Sequence, residues 1–403
     1  MEKQQGVRIG TLIMTMGALI SYHVGAGFAS GNEVLQAFGS WGPDAVWALG
    51  GALAVLIIAG MGTFYICSQM RFESSENAYL FFGGKGFGRF VQAFTFVCLI
   101  LNTLVMFAGA GTLLNQHLGW PQWMGSVIMG VVSLVVVLGG FKTLERVLGM
   151  VGTVILIYLV IFLVIGIFSP NTSMGQAAVA TEAVKSGEIL QINILAMPPF
   201  SWIPGLASHN TAVLTGMTYG SELVFTSFPF MVSLAKSCQN PKEAVWAAVV
   251  SSIGYILCVS IVVVLLLFNF DAMINPVTKV MNAFPLLAAI ERMWPAASWT
   301  YAGLCFAGIF TTISGYLYAT SETLFRDKCD SRQCKIYQVV LTIAGLTLGM
   351  VIPFSKIINV LFPVRGTVGA IMAIIILVGV IRFKKSKDIE IVEEETIEAF
   401  QDN

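Results

Sequence analysis

The chain has 403 residues, of which 56% are hydrophobic, 11% are charged and 40 are glycine. Soluble domains run at about 45–50% apolar and about 25% charged, so this composition excludes an ordinary water-soluble enzyme and a disordered regulator. Basic and acidic residues balance at 22 each, which leaves no cationic field to hold nucleic acid.

Such a chain has the lipid bilayer as its solvent, where the structural unit is a helix of about 20 apolar residues. Apolar runs predict ten spans. The first covers 9–38 and carries Val24-Gly25-Ala26-Gly27-Phe28-Ala29-Ser30-Gly31-Asn32-Glu33. Each of the three glycines in that stretch costs a helix interior roughly 1 kcal/mol relative to alanine, so the helix is expected to break there and free backbone groups for a ligand. Spans at 45–67, 90–114, 123–141 and 147–168 complete a first five-helix half, residues 1–168. An outer loop follows at 169–207. Spans at 208–234, 244–268, 299–325, 336–352 and 357–381 form a second half, residues 208–387, ahead of an acidic tail at 388–403. Span six carries Thr218-Tyr219-Gly220-Ser221-Glu222 at its middle. A second break there is expected, since spans one and six are the first members of two five-helix halves related as an inverted repeat.

Most of the 22 basic residues fall in connections on the side of the N-terminus, among them Arg71, Lys85, Lys142, Lys236, Lys328 and Arg382. Lys185, Lys279, Arg292, Lys356 and Arg365 fall on the other side. Positive charge concentrates in the cytoplasm, so a multi-pass cell-membrane protein with both termini inside is expected. All 8 tryptophans except Trp246 fall at outer span ends, where amphipathic rings sit.

An acid within a span is costly unless paired, so Glu33 and Glu222 mark a candidate site. Exposed N–H groups around Gly25, Ala26, Gly27, Phe28, Ser30 and Gly31 suit a carboxylate. Glu222, Ser221, Gly220 and the free carbonyls near Tyr219 suit an ammonium, and Asn102 and Tyr219 could close the pocket. The expected substrate is a small amino acid or related zwitterion. In span eight, Gly308, Thr311 and Thr312 share one helical face. Their oxygens suit a small hard cation, and equally suit bonding to their own preceding carbonyls. The three histidines (His23, His117, His209) come with no H-E-x-x-H or G-x-S-x-G pattern, so no enzyme and no cofactor are expected. A channel would need rings of like residues, which the single acids do not supply.

The stretch 24–39, VGAGFASGNEVLQAFG, resembles the first-span signature of the YkvI-type amino-acid permease family of the amino acid–polyamine–organocation superfamily. Met106-Phe107-Ala108-Gly109-Ala110-Gly111 resembles it less specifically. The resemblance implies an all-α membrane protein of LeuT-like fold, with ten transmembrane helices in a five-plus-five inverted repeat and helices one and six broken. It implies a symporter working by alternating access, with Na+ as coupling ion. The ion would sit between the carbonyls of Ser21, Val24 and Gly308 and the hydroxyls of Thr311 and Thr312. It also implies a cytoplasmic gate pairing Arg8 with Glu322. Relatives driven by protons carry a lysine in span five, and 147–168 contains none. His23 beside the break departs from the sodium pattern, and Phe28 occupies a position that often carries an amide. The competing readings are a proton-coupled permease of the same fold, or a channel or sensor.

Overall fold

The computed structural model describes residues 6–168, 182, 184, 191–196, 200–273, 284–325, 328–349 and 364–386. Its longer elements are α-helices: α1 (Ile9–His23), α2 (Ala26–Ser30), α3 (Asn32–Ala37), α4 (Ala45–Met70), α5 (Ser75–Gly83), α6 (Arg89–Leu118), α7 (Gln122–Leu138), α8 (Phe141–Phe168), α9 (Ala212–Ala235), α10 (Pro241–Phe268), α11 (Pro285–Met293), α12 (Ala297–Phe325), α13 (Arg332–Gly349) and α14 (Val364–Ser386). A helix accompanies each of the ten expected spans. The expected outer loop falls mostly, and residues 350–352, 357–363 and the acidic tail wholly, outside the described residues.

Span one breaks where its glycines predict. Helix α1 stops at Val24, whose ψ of 72° leaves the helical region, and Gly25 follows in an extended conformation. Gly31 has φ +84°, a left-handed conformation that favours glycine, and it ends α2 and begins α3. At the start of α10, the Asn240 side chain accepts the Glu243 N–H at 2.8 Å, and Pro241 occupies the first turn, where a missing N–H costs nothing.

Close packing explains many of the other glycines. A Cβ on Gly216 would stand 1.8 Å from the Ala48 carbonyl oxygen of α4, and one on Gly220 would stand 2.8 Å from that of Ala52. Between α1 and α8, a Cβ on Gly152 would stand 1.9 Å from the Gly17 carbonyl. Between α9 and α14, one on Gly369 would stand 2.1 Å from the Ser221 carbonyl. Backbone contact of this kind is how helices associate where hydrocarbon supplies no hydrophobic drive. Span one thus packs on span five as span six packs on span ten. Spans one and seven likewise pair, as do six and two. Large apolar side chains face outward instead: Met150, Val154, Ile157, Ile161 and Val164 form a half-exposed stripe along α8, the lipid-facing arrangement.

Span six differs from expectation. Helix α9 runs unbroken through Tyr219, Gly220 and Ser221. Its glycines are spent on contact with α4, at the i, i+4 spacing that packing requires, so they do not loosen the backbone. Pro229 is the interruption in its sequence, and it lies ten residues beyond Tyr219.

Candidate functional site

The break in span one rewires its hydrogen bonds. The Val24 N–H donates to Ile20 O at 2.9 Å, and the Gly25 N–H turns back to His23 O at 2.9 Å. The Ser21 carbonyl, which a continuous helix would pair with Gly25, instead accepts the hydroxyls of Thr311 and Thr312 at 2.9 and 3.1 Å. Thr311 also shares its proton with Gly308 O at 2.9 Å. A Cβ on Gly308 would stand 2.7 Å from the Val24 carbonyl oxygen, so α12 needs glycine where it crosses the break. Ser21, Val24, Gly308, Thr311 and Thr312 therefore come together as one buried oxygen cluster. Farther along, Ala29 O accepts Tyr301 Oη at 2.8 Å and Cys305 Sγ at 3.4 Å, two span-eight contacts that no sequence signal flags.

A second polar cluster lies between the break and α9. Tyr219 and Glu222, three residues apart, share one helical face. The Tyr219 hydroxyl donates to Glu33 Oε1 at 2.6 Å and lies 2.7 Å from the Tyr255 hydroxyl. Glu222 Oε1 lies 3.1 Å from Arg365 Nη2, with side chains only 4% and 3% exposed. A Cβ on Gly27 would stand 2.4 Å from Glu33 Oε2, so the carboxylate rests on that glycine. Asn102 is buried beside Tyr316, and Phe28 is buried with its ring 6.0 Å from that of Tyr255.

Several expected site residues sit elsewhere or act locally. Gly220 faces α4. Ser221 turns its carbonyl to Gly369. Ser30 donates to Gly27 O at 2.9 Å and so tightens its own turn. Gly25 lies against Met106 and Thr312, Gly31 lies against Leu286, and Ala26 is the first residue of α2. Arg365 is not an outer-loop cation but a buried partner for Glu222. It falls inside the span expected at 357–381, and an arginine within a span is itself the signal that would have found it.

The expected gate pairs differently. Arg8 meets Glu243 with Nη2–Oε1 2.7 Å and Nε–Oε1 3.2 Å, and also donates to Ser237 O at 3.0 Å. This carboxylate raises the pKa of the Arg8 guanidinium further, so the pair is charged at any working pH. Glu322 instead accepts the Ser75 N–H at 2.7 Å, holding the first turn of α5, where a helix start favours negative charge. Arg8 thus ties α1 to α10 beside buried Cys238. A forked pair of this sort contributes about 1 kcal/mol, so Arg8→Ala should speed labelling of Cys238 by a membrane-permeant thiol reagent roughly five-fold. Glu243→Gln should match it, and the double variant should add nothing; additive rates would show that the two residues act independently.

No family model matches the chain. It is 21% identical over 375 residues to the uncharacterized membrane protein YkvI of Bacillus subtilis (strain 168), covering 91% of this chain and 94% of that protein. Among solved structures it is similar to a Na+-coupled sialic acid symporter in its substrate-bound outward-open state, with TM-score 0.52 and 12% identity over 92% of this chain and 85% of the symporter. It is also similar to Mhp1, a nucleobase-cation-symport-1 family transporter, in a closed conformation with bromovinylhydantoin bound. There the TM-score is 0.50 and the identity 13%, over 92% of this chain and 91% of Mhp1. The chain is an all-α membrane protein of LeuT-like fold.

Proposed function

We propose that this protein is a secondary active transporter, a symporter of a small amino acid or related zwitterion that works by alternating access and is coupled to sodium. The observation that carries the reading is the buried Glu222–Arg365 pair, 3.1 Å apart and close to a broken helix. Two opposite charges held side by side in a membrane interior are costly to bury, and such residues mark substrate and ion pathways. A zwitterion brings the same two charges and can take one partner at each end, its ammonium at Glu222 and its carboxylate at Arg365. Tyr219 and Asn102 border that position.

The cluster of Ser21, Val24, Gly308, Thr311 and Thr312 is the sodium position in this reading. Both threonine hydroxyls now donate to Ser21 O, and turning their hydrogens away would present their lone pairs to a cation. The Arg8–Glu243 pair closes the cytoplasmic side, with both termini inside the cell and the halves 1–168 and 208–387 moving about the site. Similarity in fold to a Na+-coupled symporter supports the reading.

The test is uptake of a panel of amino acids into liposomes holding the purified protein, driven by a sodium gradient, a proton gradient or neither. Saturable uptake that follows the sodium gradient is expected. Uptake linear in substrate to the highest concentration would argue for a channel and overturn the proposal.

A further inference from the structure

We propose that Glu33 is a proton-binding site, filled through Tyr219 and Tyr255 from a water held in a cavity on the Arg8 side of the break. The proposal deepens the transporter reading by adding a proton to the species the site handles. It rests on that reading only for its purpose, since the proton site itself is defined by geometry.

While Glu33 is ionised it can only accept, and that fixes the hydrogen-bond direction. A tyrosine hydroxyl has one proton, and Tyr219 gives its own to Glu33 Oε1 at 2.6 Å. The 2.7 Å contact between the two tyrosines is therefore donated by Tyr255. The result, for ionised Glu33, is a chain directed from Tyr255 to Tyr219 to Glu33, whose members are all buried.

Among the described residues, the charges around Glu33 leave it one cation short. Facing it are Tyr219 and Glu222 from α9, Tyr255 from α10, Tyr316 from α12 and Arg365 from α14. Arg365 is the only cation in that set, and it is engaged with Glu222. A buried carboxylate in such a position is neutralised most simply by a proton. Gly27, whose α-carbon lies against Glu33 Oε2, leaves room for the carboxyl beside the break.

The cavity supplies the other end. It has about 20 Å³ of space and is lined by His23, Ser227, Ser251, Ser252 and Tyr255, among apolar neighbours. That is room for about one water, which needs several polar partners to stay. Both His23 nitrogens and Ser251 Oγ are buried without a hydrogen-bond partner. The Leu19 and Leu223 carbonyls lie near the His23 ring without hydrogen-bonding geometry. The His23 and Tyr255 ring centroids are 5.0 Å apart.

The step balances. A hydrated proton reaching the cavity gives its proton to Tyr255 Oη and remains as water. The Tyr255 proton passes to Tyr219 Oη, and the Tyr219 proton passes to Glu33 Oε1. One proton enters, one resides on Glu33, and both tyrosines end neutral.

Infrared pH-difference spectra of the full-length protein in lipid nanodiscs test this without any substrate. A protonated-carboxyl C=O band that shifts in D2O is expected at neutral pH. Glu33→Gln should abolish it, Glu33→Asp should keep it at an altered frequency, and Glu322→Gln should leave it unchanged. Tyr219→Phe should shift it upward through loss of the hydrogen bond. Tyr255→Phe should keep the band but lose the fast phase of deuterium exchange. A wild-type spectrum without this band, or one whose band survives Glu33→Gln, overturns the proton site. Exchange as fast in Tyr255→Phe as in wild type overturns the route. A failed uptake assay would count against the transporter reading and leave the band where it is.

Discussion

Arg365→Met should destabilise the protein by about 3–5 kcal/mol, because it strands Glu222 as an unpaired charge in the bundle interior. Glu222→Leu should cost a similar amount by stranding Arg365. Replacing both at once removes the two desolvated charges together, so the double variant should melt near wild type. This ordering separates stability from function. If the pair also receives the substrate, the double variant should fold and still fail to bind. Melting of the purified variants in detergent, followed by substrate binding, checks both. A double variant as unstable as the single ones would mean that the pair is held in place by more than its own charges. Retained substrate binding in a stable double variant would move the substrate elsewhere.

The span pattern and the first break were legible because they follow from local rules. Lipid demands continuous helices, and three glycines around Phe28 cannot sustain one. Span six misled for the same local reason. Gly216 and Gly220 resemble helix breakers until the backbone of α4 is set against them, and only tertiary contact decides between loosening and packing. Arg365 carries a signal, an arginine within the span expected at 357–381, but it lies near enough to the outer end of that span to read as loop charge as well. Its partner lies in a different helix, with 143 residues of chain from Glu222 that periodicity cannot fold back. The partner of Arg8 turns on a finer point. Glu243 and Glu322 both stand at helix ends on the Arg8 side, and only the path of α1 shows that Arg8 reaches the former. Tyr255, which completes the chain from Glu33, sits in an apolar helix as one more aromatic residue and carries no sequence signal at all.

Thr312→Ala should raise the sodium concentration for half-maximal uptake by roughly 10- to 100-fold, the equivalent of about 1.5–3 kcal/mol for one oxygen contact to a charge. Ser21 O is a carbonyl outside the helix ladder that accepts two threonine hydroxyls from α12. A cation entering there draws on the carbonyls and both hydroxyls at once, and so joins α1 to α12. Joining them favours one global arrangement, and the ion should then raise substrate affinity by the factor by which substrate raises ion affinity. Maximal uptake at saturating sodium should largely survive Thr312→Ala, since the reaction path is kept and only the ion's hold is weakened. Thr312→Ser keeps the oxygen and should lie near wild type. Gly308→Ala should be worse than either, because its Cβ would press 2.7 Å from the Val24 carbonyl and displace a ligand as well as a helix. Uptake that ignores sodium and follows a proton gradient would remove this cluster from the coupling step and leave Glu33 as the residue that carries the ion.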